Sequence, residues 1–223
     1  IRTGKIPEDV TEGTKLARGA NFRCLLSNTP MTGEHIKGEG KSGRMGQKLM
    51  AIVVNSKNGR VYLPPTLEME SIANQAKPEW MPETEIAPDK RSMFTPLYGM
   101  THFKHLFTSR QLVALTTFSD LVQEVREKII EDAKAALMPD NGIGLDQFGS
   151  GATAYAEAVS VYLAIISDKV ADYWSSICSW HSSGEKMRNT FGRQALPMVW
   201  DFAEANPFCS SSGNWIAMVD WTC

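Results

Sequence analysis

Long apolar runs are missing from this chain: none approaches the ~18–20 residues needed to span a bilayer, so no membrane segment is expected. A charged start followed by a short apolar core, the mark of a secretory leader, is missing too. Cysteine is sparse and never paired in spacing, with Cys24, Cys178, Cys209 and Cys223 standing singly. This excludes a secreted disulfide scaffold and points to a reducing, cytoplasmic setting. His102 and His105 lie three apart, but no cysteine or carboxylate stands beside them at ligand spacing, and no metal is expected. A large excess of either charge is absent as well. With a net charge of −2 the chain is not a globally basic nucleic-acid binder, which leaves only a local basic patch for that role. The chain begins at Ile1 and stops at Cys223 inside the apolar stretch WIAMVDWTC, so an internal excerpt of a longer protein is expected.

What is present is ordinary for a globular protein: 43% apolar and 22% charged residues in 223. Three regions differ in periodicity, and together they predict an α+β fold that is mostly α-helical. Residues 1–65 are β-rich, with the runs FRCLL, KLMAIVV and RVYL separated by Gly, Ser and Asn. Ser56-Lys57-Asn58-Gly59 joins the last two and carries Asn-Gly, a strong hairpin signal. A small antiparallel sheet of three strands is expected there. Residues 66–100 form a proline-rich connector with one short helix at 67–76. Residues 101–223 are helical. Thr108-Ser109-Arg110-Gln111 fits a capping box, and behind it Leu115, Phe118, Val122, Val125 and Ile129 recur at helical steps as far as Leu137. A Gly- and Asp-rich loop follows, and then a second helix with Tyr155, Val159, Tyr162, Ile166, Val170, Tyr173 and Ile177 on one stripe. The two stripes predict an antiparallel helical hairpin closed along them.

The strongest candidate for binding is KGEGKSGRMGQK, which carries Lys37, Lys41, Arg44 and Lys48 against Glu39 alone. Gly-Lys-Ser at 40–42 matches the end of a phosphate-binding loop, but His35 stands where that pattern needs its first glycine. What survives is a backbone contact to nucleic acid by cations on a glycine-rich loop, beside the plainer reading of a solvated connection. Arg110-Gln111 and its echo Arg193-Gln194 have the side chains that make bidentate contacts to guanine and adenine edges. They are equally good helix formers. Cys178 falls near the apolar stripe, where a buried and inert thiol is expected.

Three stretches together resemble a known family: GRMGQKLMAIVVNSKNGRVYLPP (43–65), LFTSRQLVALTTFSDLV (106–122) and TFGRQALPMVWDFAEANPF (190–208). They are similar to the middle of large bacterial and archaeal proteins that carry domain of unknown function 1156, described as adenine-specific DNA methylases with a zinc-ribbon. The resemblance implies S-adenosylmethionine as cofactor of the whole protein, DNA as its partner, and the rest of the methyltransferase chain packed around this segment. In the family the cofactor motif lies upstream of this region and an Asp-Pro-Pro-Tyr motif downstream. The ribbon's paired cysteines do not carry over, since FRCLLSNTP keeps only Cys24 and leaves a degenerate, ribbon-like region.

Asn206-Pro207-Phe208 is one proline short of the tetrapeptide with which amino-methyltransferases grip a flipped base. No catalytic, cofactor-binding or metal-binding residue is therefore assigned to this segment. Asn206-Pro207 is expected to terminate a helix over Met198–Ala205, because the residue before proline leaves helical space. The expected function is an insertion, like a target-recognition segment, in an adenine-specific DNA methyltransferase. The alternative is a helical packing module that makes no direct DNA contact.

Overall fold

The computed structural model describes residues 13–89 and 91–223. It is an α+β structure dominated by helix. Among the described residues the strands pair only as two-stranded ribbons: β1 (Phe22–Arg23) with β2 (Pro30–Met31), β3 (Ile52–Ser56) with β4 (Gly59–Leu63), and β5 (Trp180–His181) with β6 (Lys186–Met187), all antiparallel. The helices are α1 (Gly33–Lys41), α2 (Leu67–Ala73), α3 (Ser109–Ala135), α4 (Ala152–Ala171) and α5 (Trp215–Thr222). The three β-rich runs thus do not make one sheet. FRCLL contributes two residues to a separate hairpin, and only the last two runs pair with each other. Their turn is Lys57-Asn58, closed by the Ser56–Gly59 pair, and Gly59 takes the positive φ (105°) just after it.

The capping box forms as the sequence predicts. Thr108 Oγ1 accepts from the Gln111 amide at 3.3 Å, and Gln111 Oε1 accepts from the Thr108 amide at 2.8 Å. At its other end α3 stops in a Schellman motif built without glycine. Met138 N donates to Ala133 O at 2.9 Å and Leu137 N to Lys134 O at 3.0 Å, which forces Leu137 to φ 65°.

The helical hairpin of α3 and α4 is present, but α4 is rotated from the expected stripe. Tyr155 and Tyr162 are about half exposed, whereas Ala152, Ala156, Ile166 and Val170 are buried. Alanines let the helix axes approach closely, so the small residues take the inner face and the tyrosines are turned outward. Ile177 lies beyond the end of α4.

Two apolar clusters hold the chain together. In the first, Ile86 from the connector meets Leu106, Ile177 and Leu196. The connector therefore contributes to the core. In the second, Ile166, Val170, Trp174 and Met218 pack with Phe118, whose ring stacks on Trp215 at 4.2 Å. Trp174 is 2% exposed and its Nε1 donates to Gly213 O at 2.6 Å, tying α4 to the approach of α5.

The end of α4 is latched by Asp172. Its carbonyl accepts from both Thr190 N and Thr190 Oγ1 at 2.7 Å, and its carboxylate accepts from Phe191 N at 2.7 Å and Asn189 Nδ2 at 2.8 Å. Beneath this latch Cys178, Ser175 and Thr190 form a buried polar knot, with Ser175 Oγ 2.7 Å from Thr190 Oγ1. Residues 198–205 do not form the expected helix. Phe202 bridges instead to Ser179, and Ala203 N donates to Cys178 O at 2.7 Å. Cross-chain pairing has replaced local helical bonds. Among the described residues no helix is long and apolar enough to cross a membrane.

Candidate nucleic-acid interface

The glycine-rich cationic segment is half helix. Thr32 caps α1 by accepting from the His35 amide at 3.3 Å, so Lys37 and Lys41 stand on a helix and not on a loop. Two of the glycines that suggested a phosphate cradle have other work. Gly40 packs against the turn at Thr95–Tyr98 so closely that an added Cβ would lie 2.5 Å from Tyr98 O. Gly43, with φ 68°, is the left-handed residue of a second Schellman motif. Its amide donates to Gly40 O at 3.0 Å and the Arg44 amide to Glu39 O at 2.9 Å. Gly-Lys-Ser-Gly-Arg is a helix ending.

Three of the four cations are held by carboxylates. Lys37 Nζ lies 2.9 Å from Glu34, one turn back on α1. Arg44 forks Glu39 with contacts of 2.7 and 2.8 Å. Lys48 reaches Glu70 on α2 at 2.6 Å, and the Leu49 amide donates to the same carboxylate at 3.1 Å. These bonds hold the Glu34, Glu39 and Glu70 carboxyls below the usual carboxylate range, the side-chain bond to the cation being the largest cause each time. Lys41 has an exposed side chain.

Arg110 and Gln111 are likewise engaged by the fold. Arg110 forks Glu204 with contacts of 2.5 and 2.8 Å, bridging the start of α3 to the stretch before Asn206. Gln111 is 4% exposed, so in this conformation it has no route to a base edge. Arg193 and Gln194 do not repeat that helix opening. They lie exposed on a bend that leads into the bridge between Met93 and Leu196. The structure therefore does not gather the eight candidates into one patch. Lys41, Arg193 and Gln194 keep exposed side chains, and the others are paired or buried. Of the opposing acids, Glu39 stands within the cationic segment itself. Glu34 was visible at helical spacing from Lys37, but Glu70 and Glu204 lie 22 and 94 positions from their partners.

Asn206-Pro207-Phe208 is a turn. Asn206 Oδ1 accepts from the Phe208 amide at 2.9 Å, and Asn206 O from Cys209 N at 3.2 Å. The histidines also serve local structure. His105 Nδ1 accepts from the Thr101 and His102 amides at 3.1 and 3.3 Å, while burial lowers its pKa below the ordinary histidine value. Among the described residues no group of three or more His, Cys, Asp or Glu is placed to hold a metal ion. A cavity of about 460 Å³ opens beside the start of α1, lined in part by Asn21, Thr32 and Lys37. Asn21 Oδ1 accepts from Gly33 N, Thr32 is the cap and Lys37 is paired with Glu34, so these polar groups of its lining are already engaged within the fold.

No protein-family model, curated protein or solved structure matches this chain.

Proposed function

We propose that this chain is an internal scaffold segment of an S-adenosylmethionine-dependent, adenine-specific DNA methyltransferase acting in the cytoplasm. In this reading the cofactor-binding and catalytic parts belong to the rest of the protein. The observation that carries it is the joining of two of the family-like stretches, 106–122 and 190–208, into one unit. Leu106 and Leu196 share a core cluster, and Arg110 forks Glu204 across 94 positions. The third stretch, 43–65, is tied to the same body. Arg60 Nη2 donates to Ser211 Oγ at 3.3 Å, and the Arg60 guanidinium lies 5.6 Å from the Trp180 ring centre. Stretches that each resemble one family, packed on one another, support a scaffold role in this reading.

DNA contact in this reading is electrostatic and independent of sequence, made through Lys41 and Arg193 with Gln194 beside them. Duplex binding measured against salt tests it. Replacing Lys41 and Arg193 by Ala should lower the slope of log affinity on log salt by up to about 0.9 per lost contact, about equally for all sequences. If the wild-type chain shows no salt-dependent duplex binding, direct contact is wrong. The alternative, a helical packing module, then takes its place. One observation favours that alternative: the outward face of α4 is apolar.

A further inference from the structure

The solvent face of α4 is unusual for a surface helix. Across twenty residues it carries only Glu157, Asp168 and Lys169 as charges. Arg126 holds Glu157, which also accepts from the Leu145 amide at 2.6 Å. Lys169 donates to Thr222 at 3.2 Å and lies 4.5 Å from the Trp221 ring centre. That leaves Asp168 at one end. Along the helix Tyr155, Ala158, Tyr162 and Ile165 follow one another at steps of three, four and three, which puts them on a single stripe. Tyr155, Tyr162 and Ile165 are 49%, 52% and 43% exposed, with Val161 at 53% on its border. A helix apolar on both faces is a buried helix, yet among the described residues its packed neighbours are α3, α5 and the short turn at Leu145–Gln147, and Tyr155, Tyr162 and Ile165 stay about half exposed.

We propose that this face binds a second copy of the chain, α4 against α4 in antiparallel array about a twofold axis. The stripe is complementary to itself in that register. A twofold axis beside Ser160 sets Ala158 opposite Tyr162 of the other copy, a small residue receiving a large one, and sets Tyr155 opposite Ile165. Both contacts occur twice, as an isologous interface requires. The central turns carry no free charge, so the symmetry brings no like charges together. Asp168 falls beyond the last paired position, at the polar rim. Trp221, 69% exposed, continues the apolar surface over the turn of Lys169.

The register makes a charge-exchange test possible, because residues 155 and 165 face each other across the axis. Sedimentation equilibrium of the full chain should give twice the chain mass. Ile165→Glu and Tyr155→Lys, each alone, should weaken self-association at least about 100-fold, since each buries unpaired charges at the interface. Circular dichroism and melting should remain those of the wild type after dilution to monomer, as both positions are half exposed. The double variant Tyr155→Lys with Ile165→Glu should recover the dimer through two opposed ion pairs. A monomeric wild-type chain overturns the proposal, which would leave the face to another part of the protein or a different partner. So does a dimer that survives either single change, or one that the double change fails to restore.

Discussion

Replacing Trp174 by Phe removes one hydrogen-bond donor and the pyrrole side of the ring from the cluster that joins α4 to α5. Trp174 is 2% exposed and Gly213 O accepts its Nε1 proton at 2.6 Å. Phenylalanine leaves that carbonyl without its donor, a loss of about 1–3 kcal/mol for a buried polar group. It also removes two ring carbons from a packed core at about 0.8 kcal/mol each. The sum, about 2.6–4.6 kcal/mol, is a large share of the roughly 5–15 kcal/mol that holds a typical domain folded. With a urea dependence of about 2 kcal/mol per molar, the midpoint should fall by roughly 1.3–2.3 M. Urea titration followed by far-ultraviolet circular dichroism reads this directly. Trp221→Phe is the control. Its ring is 69% exposed, with the Lys169 ammonium 4.5 Å from its centre, so its midpoint should move by no more than about 0.3 M. A Trp174→Phe midpoint within that same margin would refute the reasoning and the role given to the indole as the link between the two helices.

Two further outcomes follow from the ends of the long helices. Leu137 is 90% exposed and held at φ 65°, so Leu137→Gly should stabilise the chain by up to about 1 kcal/mol, read as a raised melting temperature; an unchanged or lowered one contradicts the strain argument. Asp140 joins the end of α3 to the start of α4, accepting from Lys134 at 2.9 Å, Thr153 N at 3.1 Å, Thr153 Oγ1 at 3.1 Å and Gly142 N at 3.2 Å. These bonds, led by the one from Lys134, hold its carboxyl well below the ordinary range. A depressed folded pKa gives stability that is fully present above the unfolded value of about 3.9 and is lost as pH falls below it. Asp140→Asn should therefore lower the denaturation midpoint at neutral pH and flatten its decline below about pH 4. A parallel decline in both proteins would show that Asp140 does not carry the acid sensitivity.

What was legible in the sequence is what local chemistry decides. The capping box at Thr108 and Gln111, the helix behind it, the hairpin around Lys57-Asn58 and the buried thiol of Cys178 all follow from neighbours in the chain. Ambiguity entered where one set of letters serves two structures. Gly-Lys-Ser-Gly-Arg reads as a mobile phosphate loop and also as a Schellman ending, and nothing local to it reveals that Gly40 lies against Tyr98. The rotation of α4 escaped because tyrosine is a reasonable core residue, and only the close approach to α3 selects the alanines. The candidate site was the least legible part. Glu70 and Glu204 neutralise Lys48 and Arg110 from 22 and 94 positions away, and no periodicity carries that information.

The latch at Asp172 turns one buried group into a clock. Cys178 is fully enclosed and its sulfur lies 3.3 Å from Thr190 Oγ1, directly beneath the segment that Asp172 pins. A small thiol reagent reaches that sulfur only during moments when residues 189–191 have let go of the end of α4. When reclosing outpaces modification, the labelling rate measures how often the latch is open, on the same footing as amide exchange. Cys223 is exposed and reacts without waiting, so it supplies the unprotected rate within the same molecule. The ratio of the two rates is then the equilibrium constant for opening this one fastening, its logarithm gives the free energy of opening, and no substitution is needed to obtain it.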